Sequence, residues 1–152
     1  FLGAGGTGVV YLATDMALDH RGAIKTLPPM RREYAERLRR EARAMASVRH
    51  PNVVQLISHG ESDGWLWLVM EYVSGGDLAG HLKRRGTLLE KEACTIAARC
   101  ARGLVAIHAA GLIHRDLKPE NIFLSRTAEG DWSRVTGPPG IASSSAATWS
   151  TS

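Results

Sequence analysis

The stretch His114-Arg115-Asp116-Leu117-Lys118-Pro119-Glu120-Asn121 puts a carboxylate, a cation and an amide oxygen within eight residues. Asp116 and Asn121 stand five residues apart, with Lys118 between them. Such a loop can orient a hydroxyl through its Asp, neutralise phosphate through its Lys and bind a divalent cation through its Asn. Short apolar pieces, Leu112-Ile113 and Asn121-Ile122-Phe123-Leu124, flank it and read as strands around a polar loop.

Upstream of that loop the pattern is helical. Asp77 can cap a helix running to about Arg85, with Gly86 at its end. Thr87-Leu88-Leu89-Glu90 has capping-box spacing and predicts a second helix, with the stripe Ala93, Ile96, Ala97, Cys100, Leu104 and Ile107 and with Gly111 as its stop. Further upstream, β-branched and aromatic residues predict strands at Phe1-Leu2, Val9–Leu12, Gly22–Leu27, Val53–Ser58 and Leu66–Val73. Glu61-Ser62-Asp63-Gly64 is the expected turn between the last two. Between the third and fourth strands, Tyr34, Leu38, Ala42 and Met45 are spaced as one face of an amphipathic helix, stopped by His50-Pro51-Asn52. Five strands around one helix, then a mostly helical part, is an α+β chain with two lobes joined near Val73-Ser74-Gly75-Gly76.

The N-terminal part holds three further candidates. Gly3-Ala4-Gly5-Gly6-Thr7-Gly8 places glycines where backbone amides can approach a polyphosphate without Cβ atoms in the way. A dinucleotide-binding turn shares this spacing, but it must open a helix, and here the next residues predict a strand. A plain hairpin turn is the other reading. Lys25, on the third strand, is either an edge charge or a held phosphate ligand. Glu41 lies three residues past Leu38, near the buried stripe, where it could pair with Lys25; a surface position is the alternative, and Glu33 and Glu36 are rival partners.

Composition narrows the class. Of 152 residues, 44% are apolar and 22% charged, as in ordinary globular domains, which excludes collagenous and fully disordered chains. No apolar run approaches the ~18 residues a membrane span needs. The N-terminus has neither an initiating Met nor a basic-then-apolar lead, so no signal peptide is expected and the chain reads as beginning inside a longer one. Cys94 and Cys100 lie six residues apart in a predicted helix, a separation of roughly 9 Å along the axis that turns them to different sides. They are expected to be buried, reduced thiols of a cytoplasmic protein. The net charge is +4, and seven Arg against three Glu fall between Arg31 and Arg49. Without aromatic interleaving or zinc spacing this predicts a solvated helix face and no nucleic-acid partner. Residues 143–152 hold five Ser and two Thr, no charge and no periodicity, and are expected to be disordered.

Taken in order, the Gly3/Gly5/Gly8 loop, Ala23-Ile24-Lys25, Glu41, His50-Pro51-Asn52 and the loop at 114–121 resemble the catalytic domain of eukaryotic-like protein kinases in its bacterial serine/threonine form. The resemblance covers residues 1 to about 125 and implies a bilobal protein-kinase-like fold, with a small lobe over 1–73, a partial large lobe over 74–132 and an atypical tail over 133–152. It implies ATP and Mg²⁺ as cofactors and proteins bearing Ser/Thr hydroxyls as substrates. Gly3, Gly5 and Gly8 would cover the ATP phosphates, and Lys25, paired to Glu41, would hold the α- and β-phosphates. Val10, Ala23 and Met70 would line the adenine slot, with backbone groups of Glu71 and Val73 on the adenine edge. Asp116 would orient the substrate hydroxyl, Lys118 would steady the transferring phosphoryl group and Asn121 would take one Mg²⁺. The family's Asp-Phe-Gly is missing: Gly140-Ile141-Ala142 resembles its end, which puts Pro138 and Pro139 where a metal-binding Asp and a Phe belong, and Asp131 is a poor substitute. Truncation or a frameshift after about Trp132 is the expectation, and loss of that Mg²⁺ ligand is expected to disable phosphoryl transfer by this chain itself. The alternatives are a non-catalytic, pseudokinase-like nucleotide- or partner-binding module and, less well matched, a small-molecule phosphotransferase of the same fold.

Overall fold

The computed structural model describes residues 1–5, 8–17, 19–126 and 132–134. Five antiparallel strands, β1 (Gly3–Gly5), β2 (Gly8–Asp15), β3 (His20–Leu27), β4 (Leu56–Ser62) and β5 (Trp65–Glu71), form one sheet in the order β1-β2-β3-β5-β4. α1 (Arg32–Ser47) enters between β3 and β4. α2 (Leu78–Arg85) and α3 (Glu90–Ala109) follow, then a single 3-10 turn at Pro119–Asn121 and a small two-stranded sheet of β6 (Ser125–Arg126) and β7 (Trp132–Arg134).

Several boundaries differ from the sequence reading for local reasons. β1 lies at Gly3–Gly5, although the Leu2 N–H still donates to the Val10 carbonyl at 2.9 Å. β4 begins at Leu56 because the preceding residues form a turn on His50, whose carbonyl accepts from the Val53 N–H at 3.0 Å and whose Nδ1 accepts from the Asn52 N–H at 3.1 Å. Glu61 and Ser62 pair with Leu66 and Trp65, leaving Asp63-Gly64 as the whole turn. Both central residues have positive φ, 50° and 78°, which suits the right-handed twist of a tight hairpin. In α1 the buried stripe is Ala35, Leu38, Ala42 and Met45; Tyr34 falls one residue off it and is exposed. Asp77 caps α2 as expected, accepting from the Gly80 N–H at 2.6 Å. α3 starts later than Thr87 implied: Glu92, not Glu90, reaches back and accepts from the Leu89 N–H at 3.1 Å. Leu112-Ile113 forms no strand, and Asn121 sits in the 3-10 turn that Pro119 begins. Trp132 and Arg134 of β7 pair with Arg126 and Ser125.

Two apolar clusters result. The larger joins the sheet to α1 through Val10, Ala23, Leu27, Leu38, Ala42 and Met45 and continues into Ile107 and Phe123. The smaller gathers Leu78, Ile96, Cys100, Ile122 and Leu124 under α2. Ala93 and Ala97, assigned to the α3 stripe, are exposed, and Gly103 takes an inward place instead. Val105 and Ile113 also face outward, so one side of α3 carries no cover among the described residues. Cys94 is exposed rather than buried, while burial pushes the Cys100 thiol up to about 11, which keeps it protonated and unreactive. Of the atypical tail expected over 133–152 only Ser133 and Arg134 are described, in β7; the stretch 143–152 expected to be disordered lies outside the described residues, as do Asp131, Pro138, Pro139 and Gly140–Ala142.

The chain between sheet and helices is stitched to the end of the polar loop by backbone alone. The Leu124 N–H donates to the Gly76 carbonyl and the Leu78 N–H to the Ile122 carbonyl, each at 2.8 Å, around a bridge between Asp77 and Phe123. Approach is so close at Gly75 that a Cβ there would stand 1.7 Å from the Leu124 carbonyl oxygen. Gly75→Ala is therefore expected to destabilise the chain at or beyond the upper end of the roughly 1–3 kcal/mol typical of overpacking. Urea unfolding of this variant checks it; an unchanged midpoint would contradict the close approach.

Candidate active site

The polar loop is ordered around Asp116. His114 is buried at 2% exposure, and the Asp116 N–H donates to its carbonyl at 2.8 Å. Arg115 between them takes a positive φ of 61°, a backbone conformation that L side chains rarely adopt and that the surrounding contacts must hold. The Asn121 Nδ2 donates both to the Asp116 carbonyl at 2.8 Å and to its carboxylate Oδ2 at 2.7 Å. Lys118 Nζ approaches the same Oδ2 at 3.0 Å. The loop thus brings Asp116, Lys118 and Asn121 together around one carboxylate.

Strand register supplies the opposite wall. Val10 stands across from Lys25 in the β2–β3 ladder, and Ala23 across from Met70 in the β3–β5 ladder. Directly paired residues share a face, as do residues two apart, so Val10, Ala23, Lys25 and Met70 all lie on one side of the sheet. Gly3 and Gly5 pair with Val10 and Gly8 in the β1–β2 hairpin. Gly8 has no room for a side chain, since a Cβ would come within 2.1 Å of the Thr26 carbonyl oxygen. Gly6 and Thr7, at the tip of the hairpin, lie outside the described residues. At the end of β5, the Glu71 N–H is already given to the Gln55 carbonyl at 3.0 Å, and Val73 is buried.

Lys25 and Asp116 feel each other across this space. Burial lowers the Lys25 pKa below its ordinary 10.5, and the Asp116 carboxylate opposes that shift. The expected Lys25–Glu41 pair is not formed. Glu41 accepts from Arg37 Nε at 3.0 Å and lies 3.6 Å from Arg115 Nη1, so the helix glutamate is tied to the polar loop instead. Glu33 and Glu36 do not replace it; Glu36 pairs with Arg32 one turn away. The Glu41–Arg115 contact and the burial of His114 went unforeseen, because residues 74 positions apart in the chain leave no periodic signal of their contact.

As a cation site the loop is partial. With both Asn121 amide contacts made by its nitrogen, its amide oxygen is the acceptor available to a metal. Among the described residues no group of three His, Cys, Asp or Glu side chains is placed to hold a metal ion. This donor set fits Mg²⁺ bound chiefly through nucleotide phosphates and water, and does not fit a cage made by the protein alone.

A glycine hairpin, a buried strand lysine and an Asp-Lys-Asn loop, set between a five-stranded sheet and a helical part, define a phosphoryl-transfer enzyme class. The profile of the protein kinase domain family matches residues 1–135, and the chain belongs to that family. It is 43% identical over 137 residues to the serine/threonine-protein kinase pkn2 of Myxococcus xanthus, covering 88% of this chain and 16% of that protein. It is 40% identical over 144 residues to the serine/threonine-protein kinase PknJ of Mycobacterium tuberculosis, covering 93% of this chain and 24% of the relative. The chain thus spans a quarter or less of these relatives. Among solved structures, the PknI kinase domain of Mycobacterium tuberculosis superposes with a TM-score of 0.77 at 32% identity, over 93% of this chain and 58% of that one. Rad53 residues 1–466 in complex with AMP-PNP superpose at 0.81 and 27% identity, over 91% and 36%. The family is one of ATP-dependent enzymes, and no helix among the described residues is long and apolar enough to cross a membrane.

The Lys25 shift has a pH signature. A lysine whose folded pKa is depressed disfavours the fold while charged, so the unfolded chain binds more protons between the lowered value and 10.5. Stability from this group therefore rises with pH through that window. Lys25→Met is expected to be more stable than the parent at pH 7, with the difference shrinking as pH climbs toward 10.5. Urea midpoints of both proteins at pH 7 and pH 10 measure it, and a difference independent of pH would contradict it.

Proposed function

We propose that this chain is the nucleotide-binding and catalytic-loop portion of a serine/threonine protein kinase, which transfers the ATP γ-phosphoryl group to Ser or Thr hydroxyls of proteins. The observation that carries the reading is the single Asp116 carboxylate, held by Asn121 at 2.7 Å and Lys118 at 3.0 Å, with the Lys25 charge facing it from the sheet. The serine/threonine names of the bacterial relatives and the AMP-PNP in the Rad53 neighbour support the substrate class and the nucleotide.

In this reading Gly3, Gly5 and Gly8 lay backbone over the phosphates, and Val10, Ala23 and Met70 form the apolar slot for the base, with backbone of Glu71 and Val73 at its edge. Lys25 binds the α- and β-phosphates. Its lowered pKa comes from desolvation, which the Asp116 carboxylate opposes and which the negative charge of a polyphosphate would oppose further. Asp116 accepts the hydrogen bond of the substrate hydroxyl and aligns its oxygen for in-line attack. Lys118, already on that carboxylate, offsets negative charge on the transferring group. Asn121 orients Asp116 through its nitrogen and offers its oxygen to Mg²⁺. Mg²⁺, when bound, neutralises phosphate charge that develops during transfer.

A second reading, a module that binds nucleotide without transfer, is favoured by Glu41, which sits on Arg37 and Arg115. Two measurements divide the readings. Mg-ATP-dependent labelling of a generic Ser/Thr substrate, reduced at least ~10²-fold by Asp116→Asn, the lower end of general-base contributions, would establish transfer by this chain. A nucleotide-induced rise in melting temperature without labelling would establish the binding module instead. No melting shift with ATP would overturn both.

A further inference from the structure

The longest helix keeps one face that the described residues leave bare. Within α3, Glu90, Ala97, Ala101 and His108 are spaced 7, 4 and 7. At about 100° of turn per residue they fall within about 40° of one another. Ala93, Cys94, Leu104 and Val105 widen this line into a stripe about 120° across and about 27 Å long. Every member is exposed except half-buried Leu104, and Val105 shows 68% of its surface. The buried residues of the helix, Ile96, Cys100, Gly103 and Ile107, lie on another side.

The stripe is apolar along its length and polar at its two ends, and the ends differ in kind. Glu90 stands in the first turn and His108 in the last. Neither side chain makes an ion pair or a hydrogen bond with a described residue. The order of residues is also symmetric: Glu90 and His108, Ala93 and Val105, Cys94 and Leu104, and Ala97 and Ala101 each lie equally far from position 99. A two-fold axis there lays a second copy of α3 antiparallel on the first, with apolar residues facing apolar residues throughout. Each Glu90 carboxylate then meets the His108 imidazole of the other copy, whose ring N–H donates to it. The central alanines let the helix axes approach to about 8 Å, and opposite dipole ends come together. A partner of different sequence would need only an apolar surface, whereas this face is complementary to itself. We propose that α3 is a self-association face, through which two copies of this chain pair antiparallel about position 99. One helix pair buries less than the ~1,600 Å² of a standard interface, so the dimer is expected to be weak, with a dissociation constant on the order of 10–100 µM.

Sedimentation equilibrium of the full chain, at concentrations spanning that range, reads association alone and does not depend on phosphoryl transfer. A monomer–dimer equilibrium without larger species is expected, because a two-fold interface closes on itself. Ala101→Glu, a change at an exposed position, is expected to weaken the dimer at least tenfold. Glu90→Lys and His108→Glu are each expected to weaken it as well. An equimolar mixture of those two variants is expected to recover it, since the mixed pair has opposite charges at one end and the parent contact at the other. That recovery could not come from misfolded chains. A monomer up to millimolar chain, as when other residues of the same chain cover the face, would overturn the proposal. So would open-ended association, a dimer untouched by Ala101→Glu, or a mixture no tighter than the single variants.

Discussion

The backbone junction between residues 75–78 and 122–124 is the constraint on which the candidate site depends. Two hydrogen bonds of 2.8 Å and the near-contact of Gly75 with the Leu124 carbonyl tie the exit of the sheet to the end of the Asp116 loop. Buried Ile122, Phe123 and Leu124 then anchor that end in both apolar clusters. With its far end fixed and His114 buried at its near end, the loop keeps few conformations open. An Asp presented by a loop of that kind is already oriented before any substrate arrives, which is where positioning catalysis draws its rate. Backbone contacts make the junction indifferent to most side-chain changes, and sensitive at Gly75.

Glu41 shows how charge networks compete. A glutamate beside the buried stripe of α1 has two cations beside it, Arg37 on the preceding turn and Arg115 on the loop. In this structure the two arginines hold it. Arginine's fork accepts such an arrangement with little desolvation, because both guanidinium groups stay half exposed, whereas Lys25 is buried and would have to bring the carboxylate inward.

The outward side of α3 follows the same logic of cover. Ile96, Cys100 and Ile107 are buried against α2, the 3-10 turn and the sheet core, while Ala93, Ala97 and Val105 have nothing over them among the described residues. The matched PknI chain is longer than this one, which covers 58% of it. The periodicity at Ala93 and Ala97 marked an apolar face that stays exposed among the described residues.

Periodicity and motif order by themselves determined the α+β class, the five strands, the three helices, the Asp77 cap and the family, because each depends on residues close together in the chain. The chemistry of the 114–121 loop was legible for the same reason: Asp116, Lys118 and Asn121 are near enough in sequence to meet whatever surrounds them. Tertiary structure alone decided what happens between distant segments. It turned Tyr34 out and Ala35 in and gave Glu41 to Arg115. Those outcomes are set by burial and by competition among charges brought together only on folding, and no spacing along the chain encodes which competitor wins.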